Sequence, residues 1–176
     1  SARQLHGPEF VDDVLRARFE LFDETFSHGG PNMFQPRLLE GAEVVRRITI
    51  DEKIAFWRAV MQYARDRGID VYWFTWNTFL FGAEGKHGLS RSDPDVNMIR
   101  YFRASVRETV LTYPLLAGIG ITAGEHMGQG LAGLSKEQWL WKTYGEGIRD
   151  ALRQQPEREF RMIHRFHQTS ANEILD

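Results

Sequence analysis

The 176 residues are 42% hydrophobic and 12% aromatic, enough for one globular core. Twenty-two basic residues against 24 acidic ones leave a formal charge of −2. That balance offers no electrostatic footprint for nucleic acid or an anionic membrane. The absence of cysteine rules out disulfides and thiolate zinc sites while leaving the compartment open. No apolar run reaches the roughly 18 residues of a membrane-spanning helix.

In chain order, a helical stretch over Phe10–Ala17 precedes a first strand candidate, Phe19–Phe22. Thr49-Ile-Asp-Glu52 is a capping-box pattern, in which hydroxyl and carboxylate satisfy the free N–H groups of a starting helix. Ile54, Trp57, Met61 and Ala64 follow as one apolar stripe, and Gly68 stops the helix. Val71–Trp76 is the second strand candidate. Asp93-Pro94 predicts the next helix start, with Asp as N-cap; its stripe is Ile99, Phe102, Val106 and Val110, and Pro114 closes it. Ala117–Thr122 lies in a Gly-punctuated apolar run, as a buried parallel strand does. Ser135-Lys-Glu-Gln138 is a second capping box, opening a helix with Trp139, Tyr144, Ile148 and Leu152 near one side. Phe160–Phe166 is the last strand candidate.

This alternation predicts an α/β fold with a parallel sheet. Four such units use up the chain, whereas a closed eight-unit barrel needs about 250 residues. The expected architecture is therefore an incomplete parallel (β/α) TIM barrel. Residues 1–176 would be a single domain belonging to a larger (β/α)₈ catalytic domain. A small open α/β sheet is the alternative.

Chemistry in such folds gathers at the carboxyl ends of the strands. Glu125 and His126 follow the third strand candidate, so Glu125 is the candidate acid or base; a solvated loop carboxylate is the bland alternative. Trp76 and Asn77 end the second strand, where an aromatic platform and an amide suit a sugar ring; packing into the core accounts equally well for the Trp. Period two in the last strand places Phe160, Met162, His164 and Phe166 on one face. Arg161, Ile163, Arg165 and His167 take the other, which makes Arg165 and His167 site candidates and His164 a core histidine. Asp23 or Glu24 after the first strand candidate could bind hydroxyls or serve as a second carboxylate, or belong to an ordinary turn. The Gly-rich pieces match no phosphate loop, and there is no HExxH motif. No cofactor is implied.

Two segments carry a resemblance. Ile54-Ala-Phe-Trp57 through Ala64-Arg-Asp-Arg-Gly-Ile-Asp-Val-Tyr72 is the first, and Tyr113-Pro-Leu-Leu-Ala-Gly-Ile-Gly-Ile-Thr-Ala-Gly-Glu125 the second. Together they resemble the (β/α)₈ barrel of the family 67 α-glucuronidases and related glycoside hydrolases. The resemblance implies that Glu125 is the general acid, that the substrate is a carbohydrate and that a second carboxylate comes from later strands. Such hydrolysis keeps the two carboxyl groups about 6.5–9.5 Å apart. The chain departs from the family in having His126-Met-Gly-Gln where the family has Gly-Gln-Pro-Gly, so glucuronic acid specificity does not carry over. Two other classes compete. One is a metal-dependent sugar-isomerase-like barrel with Glu125, His126, His167 and Asp23 or Glu24 as ligands. The other is a non-catalytic carbohydrate-binding module.

Overall fold

The computed structural model describes residues 49–76, 85–90, 95–123, 127, 131–167 and 169–175. Helix α1 spans Ile50–Arg65 and starts at the expected capping box. Thr49 Oγ1 accepts from the Glu52 amide at 3.2 Å, and Glu52 Oε2 accepts from the Thr49 amide at 2.7 Å. At its end the amides of Gly68 and Ile69 donate to the carbonyls of Arg65 and Ala64. This Schellman arrangement needs a left-handed residue, and Gly68 supplies it with φ +69°.

Strand β1 is Val71–Trp76, with the expected boundaries. Helix α2 spans Val96–Thr112. Its N-cap is Asp95 rather than Asp93, because the Asp95 carboxylate collects the amides of Asn97 (2.8 Å) and Met98 (3.1 Å). Asp93 and Pro94 lie outside the described residues. Strand β2 is Leu116–Ala123 and strand β3 is Arg161–Phe166. Between them run helix α3 (Lys136–Leu140), a π-helical turn (Trp141–Gly145) and helix α4 (Glu146–Leu152). A short helix, α5, follows at Ala171–Leu175.

The stretch after Ser135 was expected to be one regular helix; the π turn corrects that. Trp139 and Tyr144 are both buried, yet five residues apart they fall off a single face of an α-helix. The wider i→i+5 turn brings them back together. Both then meet Phe102 of α2, at ring distances of 5.3 and 6.4 Å. The Thr143 hydroxyl donates to the Trp139 carbonyl at 2.8 Å inside this turn.

The three strands are parallel, in the order β1-β2-β3. Parallel pairing of neighbouring strands was expected and is found. The barrel is not. The described residues form an open sheet with β1 and β3 at its edges, and no described strand closes it. Closure needs about eight strands with matched tilt and shear. The first strand candidate, Phe19–Phe22, lies outside the described residues.

One face of the sheet carries the core. Trp73, Ile119, Ile121 and Met162 alternate inward, and Trp73 sits between Trp57 of α1 (5.4 Å) and Tyr113 (4.6 Å) in edge-to-face contacts. Behind them α2 packs on α3 and α4 through Tyr101, Phe102, Val106, Trp139 and Tyr144. Arg103 on α2 grips α4 with a bidentate ion pair to Asp150 (2.6 and 3.0 Å) and a contact to Glu146. The opposite face is exposed at Phe74 (64%) and Ile163 (37%).

Arg158, in the loop before β3, ties three segments together. Its guanidinium donates to the carbonyls of Val110 (2.6 Å), Tyr113 (2.8 Å) and Leu116 (2.8 Å). These acceptors include carbonyls that the end of a helix leaves without an intrahelical donor. Burial holds the Arg158 pKa below the ordinary arginine value. Arg158→Met keeps the stem and removes the three hydrogen bonds, leaving the Tyr113 carbonyl its bond from the Leu116 amide. It should cost about 2–4 kcal/mol, read as a lower urea midpoint at unchanged slope.

Arg103 holds the Asp150 carboxyl below the usual carboxylate range, chiefly through their hydrogen bonds. A depressed carboxylate stabilises the fold above its unfolded pKa, and that share is lost as pH falls through the folded value. Stability should therefore drop below about pH 4. In Arg103→Gln the acid-side slope should be shallower, as urea titrations across that range would show.

Candidate functional site

Parallel register puts the carboxyl ends of all three strands on one edge. Trp76 is paired with Thr122, and Thr122 with Arg165. Two of the expected site residues, Trp76 and Arg165, thus occupy the outer strands of a single row, about 10 Å apart at normal strand spacing. Arg165 is exposed, and His167 lies exposed just past the end of β3. By alternation Arg161, Ile163 and Arg165 share one face, opposite Met162 and His164, as expected, and no described helix covers it. Asn77, Glu125, His126 and Glu24 lie outside the described residues. In the sequence, Asn77 directly follows β1, and Glu125 comes two residues after β2 ends at Ala123.

The same face shows why the glycines of β2 are there. Tyr72, Gly118 and Arg161 form one row, and Phe74, Gly120 and Ile163 the next. A Cβ on Gly120 would come within 2.2 Å of the Phe74 ring, and one on Gly118 within 2.9 Å of the Tyr72 ring. The two rings therefore lie over the bare middle strand. Across Gly118 the Tyr72 hydroxyl accepts from Arg161 Nη1 at 2.8 Å. In the third row Thr122 replaces glycine.

His164 faces the helices, as expected of a core histidine. Its Nε2 is 2.8 Å from Oε2 of Glu137, in the first turn of α3. Glu137 is only 8% exposed, and its second oxygen is buried without a hydrogen-bond partner among the described residues. The capping box at Ser135–Gln138 makes Glu137 read as an ordinary first-turn acid. Its partner lies 27 residues away, so nothing local reveals the pairing.

Among the described residues no group of three or more His, Asp or Glu could hold a metal ion. Of the ligands a sugar-isomerase-like centre would use, His167 alone is described. Among the described residues no helix is long and apolar enough to cross a membrane. Set against family models, curated proteins and solved structures, the chain matches none of them.

The carboxylate–imidazole pair makes a measurable claim. His164→Phe strands a buried carboxylate and should cost about 3–5 kcal/mol. Glu137→Met combined with His164→Phe should cost far less than the two single changes added together. A double-mutant cycle in urea measures the coupling, and a value near zero would mean that the two side chains stand together without interacting.

Proposed function

We propose that the chain is part of a carbohydrate-active glycoside hydrolase, with its sugar site along the carboxyl-terminal edge of the sheet. One observation supports this reading above others: Trp76 and Arg165 fall on the same cross-sheet row. Parallel sheets bind ligands outside the carboxyl ends of their strands. Trp76 would offer an apolar ring to the C–H face of a sugar, and Arg165 a fork for a carboxylate or hydroxyls. Asn77, His126, His167 and Glu24 are the further candidates for contacts to hydroxyls. Glu125 is the proposed general acid, protonating the leaving oxygen. The likeness to α-glucuronidase segments supports the same role for Glu125. The proposal rests on the edge of an open sheet and on no barrel.

Two measurements test it together. Acidic and neutral xylo-oligosaccharides should give saturation-transfer signals with the protein, and these should weaken in Trp76→Ala and Arg165→Ala. Where the second carboxylate is present and hydrolysis is measurable, Glu125→Gln should lower turnover by about 10²–10⁴-fold. Aryl glycosides with good leaving groups should be largely spared. Absence of any sugar signal would refute the binding site. Equal losses on good and poor leaving groups would remove Glu125 from the acid's role.

A further inference from the structure

At the opposite end of the sheet, α1 and the turn that leads into β2 border a half-open hollow of about 430 Å³. Its lining is Arg58, Met61 and Gln62 from α1, with Tyr113, Pro114 and Leu115 from the turn. Three and four residues apart, the α1 side chains share one helix face. Met61 and Tyr113 are fully buried and form an apolar floor. The size lies within the range of small-molecule sites, which are apolar with a few placed polar groups.

The polar group here is Arg58. Its Nε donates to the Thr112 carbonyl at 2.8 Å, which pins the guanidinium at the mouth of the hollow. Among the described residues its two terminal nitrogens have no hydrogen-bond partner. A cation on a fixed stem beside an apolar floor is complementary to one kind of ligand, a flat apolar body bearing a carboxylate. We propose that this hollow is a binding site for small aromatic or branched monocarboxylates, separate from the sugar edge. The carboxylate pairs with the two free nitrogens of Arg58, and the apolar body rests on Met61, Pro114 and Leu115. Burial keeps the Tyr113 phenol protonated, so the floor adds no opposing charge.

The distinction from simple helix capping is testable. Capping uses Nε alone, whereas ligand binding uses the other two nitrogens and the hollow itself. Benzoate is the probe and benzamide its neutral match in shape, followed by amide chemical shifts of Met61, Gln62 and Leu115. Benzoate should saturate in the millimolar range, the affinity that so few heavy atoms support. Benzamide should bind about tenfold or more weakly, because it lacks the charge-assisted pair. Arg58→Gln should erase the difference between the two, and Leu115→Trp, which keeps Arg58 and fills the hollow, should abolish both. An unchanged amide spectrum elsewhere in each variant shows that the fold is intact. No saturable shift, equal binding of the two probes, or benzoate shifts that persist in Leu115→Trp would each overturn the proposal.

Discussion

Three backbone carbonyls from three places in the chain converge on one guanidinium, which ties the start of the central strand to the segment that feeds its neighbour. Val110 lies in the last turn of a helix, Tyr113 makes the turn and Leu116 begins the central strand. The Tyr113 carbonyl also accepts from the Leu116 amide, whereas Val110 lacks its intrahelical donor because Pro114 stands four residues on, and leaving it bare would penalise the turn. Arg158 supplies all three hydrogen bonds from the segment that feeds β3. Its side chain also lies 5.1 Å over the Phe160 ring, so the residue that secures the start of β2 sets the approach of its neighbour. The two strands it joins are the pair whose register puts Thr122 beside Arg165.

The two faces of the sheet solve different problems. Toward the helices, large side chains from every strand interlock with Trp57, Tyr113 and the helical layer. On the other face β2 contributes glycines, and the outer strands reach across it with Tyr72, Phe74 and Arg161. Parallel sheets in folded proteins are normally covered on both sides. Among the described residues, the bare backbone of this face is shielded by aromatic rings from the neighbouring strand.

Much of this was legible locally. Both capping boxes, the Gly68 stop and the β1 boundaries are short-range features, and each is set by chemistry within four or five residues. The division of β3 into a helix-facing and an open face followed from period two. Closure was not legible. Regular βα spacing is common to open and closed sheets, and strand count with shear decides between them. Asp93-Pro94 was a sound start signal that lost to Asp95, whose carboxylate reaches two amides. Glu137 was missed because its burial depends on His164, far along the chain. The site reading rests on Trp76 and Arg165, since Glu125, His126, Asn77 and Glu24 fall outside the described residues.

The π turn at Trp141–Gly145 has a consequence for the length of the chain. A π turn is equivalent to one extra residue carried inside a helix. Deleting a single residue there would restore an α-helix with Trp139 and Tyr144 four residues apart and still on one face. A deletion in the regular turns on either side, with no wide turn to absorb it, would instead rotate the residues before it against those after it by about 100°. The π turn is therefore the place in this segment where related chains should tolerate the loss of one residue, while the regular turns around it should not.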